Sequence, residues 1–148
     1  VAKYFGNESF MAQNMLHVCM PKVFRLSEQY LIRAEARANQ KNYSGASKDL
    51  SDLRRARFQG GNGTISVSEQ NWLEIIEEER VRELYMEGFR LQDLKRWHKG
   101  FERKPQEQSL TNGSSLKIEA DDVRFVWPIP KHELESPGSQ IQPNESNK

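Results

Sequence analysis

Arg80, Glu83, Glu87, Arg90 and Asp93 follow one another at intervals of three or four residues, and this is where chemistry is first to be sought. Two carboxylates one turn apart, such as Glu83 and Glu87, are the residue type that cleaves glycosidic bonds. Their neighbours argue against that use. Each has an arginine beside it, which lowers a carboxyl pKa, whereas a general acid needs its pKa raised. At about 100° per residue, Leu73, Ile76, Leu84, Leu91 and Leu94 share one sector with Arg80, Glu83, Glu87 and Arg90. The opposite side carries Ile75, Tyr85, Met86 and Phe89. Charges on the same face as leucines must be paired, because an orphaned buried charge costs several kcal/mol. The pattern therefore reads as an internal ion network that fixes helix register.

Other reaction chemistry lacks its residues. His17, His98 and His132 are scattered, and no serine stands in a Gly-x-Ser-x-Gly elbow. No His-x-x-x-His or Cys-x-x-Cys spacing suits a transition metal. Glu119, Asp121 and Asp122 read as a solvated acidic turn, since the EF-hand pattern is missing. Gly60-Gly61-Asn62-Gly63 lacks the Gly-Lys-Ser/Thr of a phosphate loop and reads as a linker. Asn-x-Ser/Thr triplets begin at Asn7, Asn42, Asn62, Asn112 and Asn144; in a chain rich in Asn and Ser they read as chance. Trp72, Trp97 and Trp127 could stack on sugars or seal a core. No catalytic residue, metal ligand or cofactor is assigned, and the ligand-binding residues stay unknown.

The elements that must position these residues are mostly helical. Val23–Gln40 predicts a helix with Phe24, Ser27, Leu31, Ala34, Glu35 and Ala38 on one side. Asn39-Gln40-Lys41-Asn42 predicts a turn, and a second helix follows from about Tyr43 to Phe58 on a spine of Ala46, Leu50 and Leu53. Ser66-Val67-Ser68-Glu69 has the form of a capping box. It opens a predicted long helix from about Glu69 to Lys99, acidic early and basic late, with Gly100 as its end. Residues 101–122 read as loop with one short strand. Arg124–Pro130 reads as extended, because each proline disfavours helix in the residue before it. The tail from Ser136 reads as irregular.

The chain has 148 residues, 22 Lys+Arg against 21 Asp+Glu, and 36% hydrophobic residues, which fits a single domain over residues 1–148. A net charge of +1 argues against a nucleic-acid binder, which shows a basic stripe. No apolar run approaches the roughly 18 residues that cross a bilayer. The single Cys19 cannot form an internal disulfide. Leu16-His17-Val18-Cys19 is not a lipobox, having Val where Gly, Ala or Ser belongs, and residues 1–21 do not have the order of a secretory signal. A first residue that is Val1 suggests a portion of a longer protein.

Two resemblances emerge. Tyr30-Leu31…Ala34-Glu35-Ala36…Asn42-Tyr43…Ala46…Asp49-Leu50 is similar to one tetratricopeptide unit, which needs neighbours to bury its face. More specifically, Arg25-Leu26-Ser27-Glu28-Gln29-Tyr30-Leu31-Ile32-Arg33-Ala34-Glu35-Ala36 and Asp49-Leu50-Ser51-Asp52-Leu53-Arg54-Arg55-Ala56-Arg57 resemble two helices of SusD/RagB proteins. Glu79-Arg80-Val81-Arg82-Glu83-Leu84 with Glu87–Trp97 resembles the family's central signature, and Trp127–Leu134 its closing element. These blocks run in family order over residues 25–134. The tail departs: Ser136-Pro137 and Gln142-Pro143-Asn144 only echo the family ending, and no terminal Gly-Tyr is present.

The resemblance implies a mainly α, SusD-like fold: a tetratricopeptide-like helical pair, a long helix and an irregular C-terminal wrap. It further implies the C-terminal portion of a lipid-anchored outer-membrane protein on the extracellular face, its N-terminal anchor absent from this chain. Such a protein binds an oligosaccharide or other nutrient for a SusC-like TonB-dependent transporter, without enzymatic activity or cofactor. No ligand residue is carried over from the family, and Arg80, Glu83, Glu87, Arg90 and Asp93 keep a structural role. The runner-up is a tetratricopeptide-like adaptor for a protein partner, which leaves the Trp127-Pro128-Ile129-Pro130 wrap unexplained.

Overall fold

A computed structural model describes residues 23–58, 60, 63–104 and 116–147. Cys19, His17, Asn7, Asn62 and Asn112 lie outside the described residues. The chain divides into two compact units, Val1–Glu83 and Leu84–Lys148. Among the described residues no helix is long and apolar enough to cross a membrane.

In the first unit, α1 (Leu26–Asn39) and α2 (Tyr43–Arg55) form an antiparallel hairpin, and α3 (Trp72–Glu83) packs on both. Within the three-residue connection, Lys41 and Asn42 shape the turn. Lys41 takes a left-handed φ of 61° and closes α1, with Lys41 N–H donating to Ala38 and Asn42 N–H to Arg37, the bonds of a Schellman ending. Asn42 then caps α2, its side chain accepting from Gly45 N–H at 2.9 Å. The Asn42 triplet is thus a helix cap. Leu31, Ala34 and Ala38 of α1 meet Ala46, Leu50 and Leu53 of α2, all buried. The small residues let the two backbones approach. Phe24 departs from expectation: it is 85% exposed and precedes the helix.

Residues 63–68 lie along α2, where Ser51 Oγ accepts from Ile65 N–H (2.9 Å) and Ser47 Oγ from Val67 N–H (2.8 Å). Ile65 and Val67 are buried there. The start of α3 sits later than the capping box at Ser66 predicts: Ser68 N–H donates to the Asn71 side chain, and the Ser68 carbonyl accepts from Trp72 N–H.

The predicted long helix is two helices. α3 stops at Glu83, and α4 (Arg90–Arg96) begins beyond a turn. Met86 (φ 61°) and Gly88 (φ 84°) are left-handed, which no continuous α-helix accommodates. A single helical periodicity therefore does not run through residues 73–94. Tyr85 and Met86 are exposed.

In the second unit α4 ends before Gly100. His98 (φ 52°) closes it, with Lys99 N–H donating to the Leu94 carbonyl and His98 N–H to Lys95. Gly100 has another duty: a Cβ there would collide with the carbonyl oxygen of Ile118. It lets β1 (Phe101–Glu102) and β2 (Lys117–Ile118) pair antiparallel, two strands where one was expected. Val123–Phe125 is a 3-10 turn, not extended, and Asp122 caps it. The chain then runs extended to Pro130, which precedes α5 (Lys131–Leu134). The tail is anchored, not merely irregular: residues Glu145–Asn147 form a second 3-10 turn that contacts the first. The whole is mainly α, as expected of a SusD-like fold.

Candidate functional site

The charged residues singled out in the sequence are building parts of the first unit and of α4. Glu83 is the last residue of α3, where a carboxylate opposes the helix dipole. Arg25 Nη1 donates to Glu83 Oε1 at 2.9 Å, and Arg25 Nη2 to the Glu83 carbonyl at 2.8 Å. Arg57 completes the clamp with Nε to Oε2 (2.9 Å) and Nη2 to Oε1 (2.7 Å). Burial pushes this carboxyl up, but Arg57 and Arg25 outweigh it and hold the pKa at about 2. Ser27 Oγ, buried with no partner of good hydrogen-bonding geometry, adds to the lowering by its proximity. Glu83 is an ionised acceptor at neutral pH, not an acid.

Arg80 is buried on α3, Glu87 is half-buried in the turn, and Arg90 is exposed at the start of α4. Asp93 is buried, and Arg96 Nε donates to its Oδ1 at 2.9 Å. Two further buried carboxylates were not singled out in the sequence. Asp49 receives Arg33 (2.8 Å) and Arg37 (2.8 Å) from α1. Glu79 receives Arg54 from α2 and Arg82 from its own helix. The signal was present: Asp49 falls between Ala46 and Leu53 on the buried spine.

The acidic turn disperses its charges. Glu119 pairs with Lys117, Asp121 with His98 Nδ1 at 2.8 Å, and Asp122 with Arg124. Arg124, through side-chain and backbone hydrogen bonds, holds the Asp122 carboxyl at about 2. Among the described residues no group of three or more His, Cys, Asp or Glu could hold a metal ion.

A groove of about 780 Å³ in the second unit is the strongest candidate for binding. Antiparallel register sets one wall. Phe101 lies opposite Ile118 and Glu102 opposite Lys117, so side-chain alternation puts Phe101 and Ile118 on the groove face and Glu102 on the other. Arg103 returns to the groove face, its guanidinium 5.4 Å from the centre of the Phe101 ring. Leu91 and Leu94 of α4 form the floor, with Phe125 from the 3-10 turn and Trp127 and Pro128 from the extended segment.

Trp127 is 80% exposed, yet its backbone is fixed. Asn144 Nδ2 donates to the Trp127 carbonyl at 2.9 Å. Asn147 grips the next position but one from both sides, accepting from Ile129 N–H (3.0 Å) and donating to the Ile129 carbonyl (2.8 Å). A flat ring on a fixed backbone, beside two phenylalanines, offers stacking surface to a sugar ring. Trp72 and Trp97 are half-buried, and Arg96 stacks 4.3 Å over Trp97. Sequence reasoning noticed Trp127 but missed Phe101, Arg103 and Phe125, because the pairing of β1 with β2 bridges residues that no local pattern connects.

A family model described as the SusD family matches residues 13–145. No curated protein and no solved structure matches the chain.

Proposed function

Because the chain belongs to the SusD family, we propose that it serves as a nutrient-capturing subunit, binding glycan for a SusC-like TonB-dependent transporter at the outer face of the outer membrane. Members of the family are generally glycan-binding outer-membrane lipoproteins that work with SusC, and they are binding proteins, not enzymes. The observation that carries the reading is the match over residues 13–145. Two structural features support it. The groove around Trp127 combines exposed aromatic surface with guanidinium donors. Glu83, one of the two carboxylates first considered for hydrolysis, is held by Arg25 and Arg57 and is an acceptor where a glycosidase needs an acid.

Calorimetry of the intact protein against plant, host and microbial polysaccharides tests the proposal. Dissociation constants in the micromolar to millimolar range are expected, about −8 to −4 kcal/mol. Mass spectrometry for an attached lipid and co-purification with a membrane transporter test the setting. A protein that carries no lipid, binds no glycan and binds a cytosolic partner protein would instead be a helical adaptor.

A further inference from the structure

The sign of the charge around the groove suggests what kind of glycan it takes. Among the described residues its walls carry three arginines, Arg90, Arg103 and Arg124, and no carboxylate. Strand alternation on β1 produces part of this asymmetry, turning Glu102 away while Arg103 faces in beside Phe101. Asp122 engages Arg124 through both carboxylate oxygens, so Arg124 adds a planar donor edge and little net charge. Arg103, beside Phe101, sets the local sign. Guanidinium groups match the planar fork of a carboxylate and the oxygens of a sulfate, which a neutral hydroxyl cannot exploit.

Resting on the glycan-binding reading above, we infer that the groove is selective for anionic glycans. Sugar rings stack on Trp127, and their carboxylate or sulfate groups meet Arg103. A neutral glycan would gain the stacking alone. Arg103 is exposed, so the charge contribution is modest and falls with ionic strength.

The test uses the intact protein and two matched pairs of probes: oligogalacturonides with their methyl esters, and chondroitin sulfate oligosaccharides with their desulfated forms. The acidic member of at least one pair should bind about tenfold more tightly at low salt, and the gap should shrink to about twofold in 0.5 M NaCl as screening tightens. Arg103→Gln should reduce acidic binding about three- to fivefold and leave neutral binding unchanged, while Arg103→Lys retains part of the preference. Trp127→Ala should weaken both members of a pair. Equal affinity within both pairs, or binding only to neutral glycans, overturns the anionic selectivity and leaves the receptor reading in place. Binding to none of these probes nor to any polysaccharide of the wider panel overturns both.

Discussion

The two units satisfy their polar groups with different emphasis. In the first, carboxylates sit inside and arginines reach in from the rim: Arg33 and Arg37 to Asp49, Arg54 and Arg82 to Glu79, Arg25 and Arg57 to Glu83. Each pair of guanidiniums joins different helices or a helix to its flank, so charge pairing reports helix register. In the second, helices are short; Asp93 still meets Arg96, but the extended segment is held by its backbone through uncharged amides, Asn144 and Asn147. A charge-clamped scaffold resists deformation because every carboxylate has two directions of pull. An amide-held loop is fixed by its backbone and leaves the Trp127 ring exposed.

The largest effects should come from the helical scaffold. Leu50 is fully buried between the helices, and Leu50→Ala should destabilise by about 3 kcal/mol in denaturant unfolding through lost burial and a residual cavity. Asp49→Ala should follow at about 2 kcal/mol, below the usual figure for breaking a buried pair, since Arg33 and Arg37 are exposed enough to regain water. If Asp49→Ala changes the unfolding midpoint no more than a plain surface substitution, about 0.5 kcal/mol or less, the clamps do not hold the scaffold.

Acid sharpens the contrast. The Glu83 carboxyl titrates at about 2 when folded, against an ordinary value of 4.5. A depressed folded pKa means stability that is full above pH 4.5 and is lost as pH falls towards 2. Discounted for solvent screening of the partly exposed arginines, the loss is on the order of 1–2 kcal/mol. Glu83→Gln should flatten the stability profile over that window, and an unchanged slope would show that another group carries it.

These clamps also show how far the sequence could be read. The hairpin was legible because Leu31, Ala34 and Ala38 and then Ala46, Leu50 and Leu53 repeat at helical spacing, and burial follows that spacing directly. The charge partners were misread because Glu83 was given neighbours along its own helix, while the structure pairs it with Arg25 and Arg57 across sequence gaps. The break at Met86 was hidden for a related reason. Only Gly88 hints at it; a positive φ at a methionine is locally unfavourable and leaves no mark in the sequence pattern. The groove was least legible of all, since its walls come from strands two residues long, whose pairing no periodicity reveals.

For the amide-held unit the expected effect is smaller. Asn147→Ala removes two hydrogen bonds to Ile129 and should cost about 1–2 kcal/mol, at about 1 kcal/mol or less per bond. The loss should appear as faster amide exchange of Ile129, whose N–H is then free, while amides of the first unit keep their protection. Loss of protection in both units alike would show that the amide grip serves the whole chain.

Trp127→Ala should change stability least and binding most. With 80% of its surface exposed, the indole loses little burial on truncation, and its contribution to folding should stay within about 0.5 kcal/mol. The backbone grip should survive, because Asn144 binds the carbonyl of residue 127 and not its side chain. Stacking of one ring on a sugar contributes about 1 kcal/mol, so glycan affinity should fall about five- to tenfold. Unfolding and calorimetry on the same preparation separate the two quantities. A stability loss above about 1.5 kcal/mol would place Trp127 among the packing residues. An unchanged stability with unchanged affinity would move the glycan elsewhere on the protein.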